Sequence, residues 1–189
     1  MAKLRYIYSS MNSGKSSNLL QRAHNYIELG LEVIIFTSGT DDRYGVGKVT
    51  SRIGLEKPAR IIYNDDCKVL FDALKEIEYT PSIKAVFVDE CQFLDANQID
   101  VLSDFVDDHN VDVFCYGIKT DFESKLFSGS ARLFEIADKV EEIHNICICG
   151  EKAIMNARLV QSTDKVLIGG NDVYRSMCRK CFKKHNLKG

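Results

Sequence analysis

The segment Ser9-Ser-Met-Asn-Ser-Gly-Lys-Ser16 constrains this chain more than any other. It lies between a β-prone run, Leu4 to Tyr8, and a helical stretch, Lys15 to Leu29. In that stretch Leu19, Leu20, Ala23, Tyr26 and Ile27 fall at helical spacing, and Gly30 stands where the helix should stop. Strand, Gly-Lys-Ser loop and helix in that order make a P-loop, with Ser9 in place of its first glycine. In such a loop successive backbone N–H groups converge on phosphate oxygens at a helix N-terminus. Gly14 permits close approach, Lys15 reaches the β- and γ-phosphates, and the Ser16 hydroxyl can ligate Mg²⁺. Ser9 fits if its φ is negative; a positive φ there would cost about 1–3 kcal/mol. The alternative is a serine-rich turn in which Ser13, Ser16 or Ser17 caps the helix.

A P-loop stands at the edge of a parallel sheet, and the rest of the chain supplies one. Val33 to Thr37 is continuously apolar, as a strand covered on both faces should be. Cys67, Leu70, Phe71, Leu74 and Ile77 form a helical face, and Ala85 to Val88 is a second buried strand. Asp95 with Gln98 reads as a capping box, opening a helix whose inner face is Ile99, Leu102 and Phe105 or Val106. Val111 to Tyr116 is a third buried strand, and Ser130 to Ala137 a short helix. Strands alternating with helices predict a P-loop NTPase-like α/β fold, a mainly parallel sheet with flanking helices. The length of 189 residues fits one substantial domain with a small appendage, divided here as 1–145 and 146–189.

The second half of a phosphate site follows in Ala85-Val-Phe-Val-Asp89-Glu90-Cys91-Gln92. Four apolar residues ending in an acid describe a Walker B strand, whose Asp89 would hold Mg²⁺ directly or through water. Glu90 adds a carboxylate at the strand's C-terminal edge, where open α/β sheets bind ligands. It reads as a general base, against the plainer reading of a solvated loop carboxylate.

The chain holds 25 basic and 27 acidic residues, a formal charge of −2. That balance argues against a protein whose main task is gripping nucleic acid. No apolar run exceeds four residues, so no membrane span is expected. The N-terminus lacks a secretory pattern, which gives a cytoplasmic expectation. Cysteines in that compartment stay reduced. Four of the seven form close pairs, Cys147-x-Cys149 and Cys178-x-x-Cys181, spaced for a structural Zn²⁺ of the ribbon type. The first pair is one residue tighter than usual, so His185 is an alternative fourth ligand, and free thiols are the plain alternative. Zinc would staple the loop from Glu151 to Met177 and keep no open position for chemistry. Cys67 and Cys115 read as small apolar residues on buried faces; Cys91 reads as packing or as a redox-sensitive thiol.

Together these residues resemble the thymidine kinase family of bacteria, DNA viruses and the animal cytosol. The resemblance spans nearly the whole chain: Ser9-x-Met11-x-x-Gly14-Lys15-Ser16, Asp41-x-Arg43-Tyr44, and Val88-Asp89-Glu90-x-Gln92-Phe93. It continues with Gly117-x-x-Thr120-x-Phe122 and Ile168-Gly-Gly-Asn-Asp-x-Tyr174-x-x-x-Cys178-Arg-x-Cys181. It implies that Ser9, Ser10, Met11, Asn12, Ser13, Gly14, Lys15 and Ser16 cradle the phosphates of ATP, with Asp89, Glu90, Cys91 and Gln92 completing the site. It implies Glu90 as the base for the nucleoside 5′-hydroxyl, Arg43 and Lys15 as charge neutralisers, and Asp41 near the metal. The resemblance further implies a zinc-anchored lasso, the 146–189 region, that would close over the base. Lys165, Val166, Leu167, Ile168 and Gly169 would read the base edge, Phe122 and Tyr174 would pack around base and sugar, and Met11 would touch the thymine methyl. Mg²⁺ with ATP, structural Zn²⁺ on Cys147, Cys149, Cys178 and Cys181, thymidine and, as a second candidate substrate, deoxyuridine, dTTP as feedback inhibitor, and a homotetramer are implied likewise.

Two rival readings stand beside it. A P-loop switch specific for guanine should carry N-K-x-D, which this sequence lacks. A zinc-ribbon nucleic-acid module would use Arg175, Arg179, Lys180, Lys183 and Lys184, which read more simply as a solvated face.

Overall fold

The computed structural model describes residues 1–40, 47–64, 66–78, 80, 82–161 and 169–186. In chain order the elements are β1 (Leu4–Ser9), α1 (Lys15–Glu28), β2 (Glu32–Ser38), β3 (Lys48–Thr50), β4 (Glu56–Pro58), β5 (Arg60–Ile62) and α2 (Cys67–Glu78). Then come β6 (Ile83–Asp89), a 3₁₀ turn over Cys91–Phe93, α3 (Ala96–His109), β7 (Asp112–Ile118), α4 (Ser128–Ile136), β8 (Lys139–Glu142), β9 (Met155–Arg158), β10 (Tyr174–Met177) and α5 (Arg179–Asn186). Six strands form one sheet in the order β5-β2-β6-β7-β1-β8. Every pairing in it is parallel.

Alternation along the strands separates two apolar layers. Ile7, Ile35, Ala85, Phe87, Phe114 and Tyr116 face α1 through Leu19, Leu20 and Ala23. Leu4, Tyr6, Phe36, Val86, Val88, Val113 and Cys115 face α2, α3 and α4 through Leu70, Leu74, Ile99, Leu102, Phe105 and Leu133. Phe87 and Phe114 stack across β6 and β7 with centroids 4.8 Å apart, clamping the first layer. The Asp95 capping box forms: its side chain accepts from Gln98 N, and Asp95 N donates to Gln98 Oε1.

One cysteine and one phenylalanine depart from the expected face, while Cys91 takes the packing role. Cys67 opens α2 half-buried rather than inside the core, and Phe71 is 47% exposed with Lys75 above its ring. Among the described side chains of α2, Leu70 and Leu74 are the buried members of the core, with Ala73 packed against it. Cys91 is fully buried under β7, a packing position.

Two antiparallel pairs stand apart from the sheet: β3 with β4, and β9 with β10. The second carries its own apolar cluster of Cys147, Ala153, Ala157, Met177, Cys178 and Phe182. Among the described residues no helix is long and apolar enough to cross a membrane.

Candidate active site

The loop after β1 turns on two left-handed residues, Asn12 at φ 61° and Gly14 at φ 82°. Gly14 is the N-cap of α1, and no side chain caps that helix. The serine-cap alternative therefore gives way to an open helix N-terminus, which favours anions. A methyl at Gly14 would meet nothing within 4 Å, so the glycine serves its positive φ and the space in front of the loop. Ser9 does not carry a positive φ and replaces glycine without strain. Its hydroxyl donates to the Ser10 carbonyl at 2.8 Å and shares a short hydrogen bond with the Ser13 hydroxyl. Lys15 is buried, its Nζ donating to Ser9 Oγ at 3.2 Å and to the Ser10 carbonyl at 3.1 Å.

Strand β6 delivers Asp89 beside this loop, where Ser16 Oγ donates to Asp89 Oδ2 at 3.0 Å. Burial first, then the neighbouring Glu90 charge, push the Asp89 carboxyl up to about 7, against the lowering pull of Ser16 and Lys15. A buried carboxylate beside a hydroxyl is a donor pair suited to a hard divalent cation. Glu90 sits at φ 53°, a left-handed conformation that costs a non-glycine residue about 1–3 kcal/mol. The turn is pinned around it. Gln92 Nε2 donates to Glu90 Oε2, and Gln92 Oε1 accepts from Ile118 N at 3.1 Å. Gly117 and Gly129 leave the room: a methyl at Gly117 would lie 2.7 Å from Cys91 Sγ and from Gln92 Oε1, and one at Gly129 2.6 Å from the Leu94 carbonyl oxygen.

Met11 to Ser16, Glu90, Gln92, Phe122, Gly169 and Tyr174 all line one cavity of about 310 Å³. Ser9, Ser10, Asp89 and Cys91 stand behind its wall rather than on it. The same wall contains residues that motif reading did not assign: Thr50, Ser51, Arg52 and Ile53 from the β3–β4 hairpin, Phe93, Ile118, Phe127 and Asn156. Phe93 and Phe127 meet edge to face at 5.9 Å. Arg158 lays its guanidinium 3.6 Å over the Phe122 ring and donates to the Tyr174 hydroxyl at 3.1 Å. Asn156 accepts from Met11 N at 2.8 Å and donates to the Thr120 carbonyl at 3.0 Å. Asn156 lies in a four-residue strand, Met155–Arg158, too short and mixed to show periodicity, and three-residue strands rich in charge left no signal for the hairpin.

The four tail cysteines converge, with all Sγ atoms within 4.8 Å of one another and Cys149 Sγ 3.6 Å from Cys178 Sγ. Zinc–sulfur bonds of about 2.3 Å place tetrahedral sulfurs about 3.8 Å apart, so the donor set fits Zn²⁺. The tight Cys147-x-Cys149 spacing is not strained, because Gly150 at φ 89° closes the turn and donates to the Cys147 carbonyl at 2.8 Å. His185 is not a ligand: its Nε2 donates to the Arg158 carbonyl at 2.9 Å. Burial raises the Cys147 thiol, but hydrogen bonds from the Cys149 and Cys178 backbone outweigh it and pull the group down to about 6. Hydrogen bonds to Cys149, Cys178 and Cys147 push Cys181 up to about 12. Four thiolates together need a cation, and the cluster offers it a closed tetrahedron.

The family model described as thymidine kinase matches residues 2–182. The chain belongs to the thymidine kinase family. It is 46% identical to a thymidine kinase of Aliivibrio fischeri over 97% of this chain and 98% of the relative. A thymidine kinase of Escherichia coli O157:H7 is 45% identical over 97% and 92% of the two chains, and one of Zymomonas mobilis 44% identical over 96% of each. Members are nucleoside kinases, and so is this chain. Of the motifs that carry the thymidine kinase resemblance, the P-loop, the Asp89–Phe93 turn, Gly117 to Phe122 and Tyr174 meet in the one cavity region. Asp41, Arg43 and Tyr44, together with Lys165, Val166, Leu167 and Ile168, lie outside the described residues.

Proposed function

We propose that this chain transfers the γ-phosphoryl group of ATP to the 5′-hydroxyl of thymidine, giving dTMP and ADP. The observation that carries the reading is the shared cavity, lined at once by the phosphate loop, by the aromatic side chains Phe93, Phe122, Phe127 and Tyr174, and by Glu90. Ser9 to Ser16 hold the ATP phosphates through backbone N–H groups, and Lys15 leaves Ser9 and Ser10 for the β- and γ-oxygens. Glu90, fixed by Gln92, accepts the proton of the 5′-hydroxyl as it attacks. Such transfer has a loose transition state, so positioning and charge neutralisation dominate. Ser16 and Asp89 are the residues that would hold Mg²⁺, which when bound neutralises phosphate charge. Arg43 contributes further charge.

Phe122, Tyr174 and Arg158 shape the nucleoside end, with the backbone of Lys165 to Gly169 on the base edge and Met11 on the base methyl. Cys147, Cys149, Cys178 and Cys181 hold a structural Zn²⁺ that anchors the 146–189 region to the 1–145 body. Deoxyuridine as a second substrate, end-product inhibition by dTTP, a cytoplasmic homotetramer, and no membrane or nucleic-acid partner complete the proposal. The test is a phosphoryl-transfer assay with ATP against all common nucleosides, with and without a zinc chelator. Turnover confined to thymidine and deoxyuridine, and lost on chelation, is expected; ATP hydrolysis without nucleoside phosphorylation would overturn the reading.

A further inference from the structure

We propose that Arg52 is a catalytic residue whose guanidinium binds the γ-phosphoryl oxygens during transfer, with Asn171 as its positioning residue. The proposal rests on the kinase reading above. Strands β3 and β4 hold the hairpin in place: Val49 is buried in the apolar layer beneath α1, so the base is fixed. Its tip is a closed turn, with Ser51 N donating to the Leu55 carbonyl at 2.7 Å and Leu55 N to Ser51 Oγ at 3.0 Å. Arg52 projects from that tip into the wall of the cavity.

Among the described residues, that wall carries two cationic side chains, Lys15 and Arg52. Lys15 is buried at the root of the phosphate loop, while Arg52 is exposed on the lip. The lip is close to the phosphate loop, because Arg52 Nη1 donates to Asn171 Oδ1 at 2.8 Å and Asn12 Nδ2 donates to the same oxygen. One carboxamide oxygen thus joins the hairpin tip, the phosphate loop and the start of β10's approach. The hold on Arg52 is weak by design of its chemistry. Arg5, Arg22, Arg60 and Arg132 each pair with a carboxylate, whereas Arg52 is held by a neutral amide. An anionic phosphoryl oxygen is a stronger acceptor for a guanidinium than an amide oxygen. The planar fork also matches two phosphoryl oxygens at once, the geometry that an arginine supplies to spread transition-state charge. In this arrangement Arg52 exchanges Asn171 for the γ-phosphoryl group, and Asn12 marks where along the loop the exchange occurs.

The experiment compares wild type with Arg52→Gln, Arg52→Lys and Arg52→Ala in the full-length zinc-loaded protein. Arg52→Gln should lower kcat by at least ~10²-fold, with the KM for thymidine little changed. Arg52→Lys should recover part of the loss, since it keeps charge and loses the fork, and added guanidinium ion should restore turnover to Arg52→Ala. Calorimetric binding reads the contact without turnover: Arg52→Gln should weaken ATP by roughly tenfold and leave ADP unchanged. A kcat within about twofold of wild type, or equal ATP affinity in both proteins, overturns the proposal. So does a loss that guanidinium leaves uncorrected and that thymidine affinity shares. A wild-type protein that binds ATP through Arg52 yet phosphorylates no nucleoside would instead overturn the kinase reading.

Discussion

Replacing Asn156 with alanine should separate the phosphate loop from the C-terminal strand pair and cost measurable stability. Asn156 is 3% exposed and saturates two backbone groups: it accepts from Met11 N at 2.8 Å and donates to the Thr120 carbonyl at 3.0 Å. Alanine deletes both partners at once. Each stranded buried group costs about 1–3 kcal/mol, and both border the cavity, where water can recover part of the loss. The net expectation is about 2–3 kcal/mol, which for a chain of this size lowers Tm by roughly 4–12 °C. Asn156→Asp separates the two bonds. It keeps an acceptor for Met11 N–H but turns its second oxygen against the Thr120 carbonyl, so it should be at least as destabilising at pH 8 and partly recover at pH 5, where the carboxyl gains a proton. Urea unfolding at both pH values, with ATP binding measured alongside, tests this. An Asn156→Ala change within about 0.5 kcal/mol of wild type would refute the accounting.

Glu90→Gln should retain ATP binding and lose about 10²–10⁴-fold in kcat, read by calorimetry and steady-state kinetics; wild-type kcat would remove Glu90 as base. Cys178→Ser, or chelation of the wild type, should abolish thymidine binding before ATP binding, and normal thymidine binding to metal-free protein would remove the anchoring role. Gly117→Ala places a methyl 2.7 Å from Cys91 Sγ and Gln92 Oε1, so about 1–3 kcal/mol of overpacking should appear together with lost turnover. Asp89→Asn should stabilise the ligand-free protein more at pH 8 than at pH 5. Burial and Glu90 raise the folded carboxyl from 3.8 to about 7, so the folded state binds the proton more tightly and stability falls as pH rises across that window. Equal gains at both pH values, measured by urea unfolding, would count against it.

What the sequence made legible is local. The phosphate loop, the Asp95–Gln98 box, the helix faces and the buried strands each follow from a repeat or cap within a few residues. The convergence of Phe93, Phe127 and the hairpin tip does not, because those residues meet only after the sheet has ordered its strands. The cysteine spacing illustrates the middle ground. Counting residues made Cys147-x-Cys149 look strained, yet a single positive-φ glycine resolves it, and His185 is engaged elsewhere by a backbone carbonyl. Cys67 and Phe71 show the reverse: helical periodicity placed them on the apolar face, but Phe71 is exposed and Cys67 only half-buried, so the buried face of α2 is narrower than the periodic one.

The phosphate loop is gripped from the C-terminal side by four side chains, one of them Asn171, which accepts from Asn12 Nδ2. Asn145 donates to the Ser10 hydroxyl and the Met11 carbonyl, Ser176 donates to that same carbonyl, and Asn156 accepts from Met11 N. The tail is therefore no interchangeable cassette. A chimera joining the first 145 residues of this chain to the tail of a relative would keep a sound phosphate loop only where the relative supplies matching partners at 156, 171 and 176.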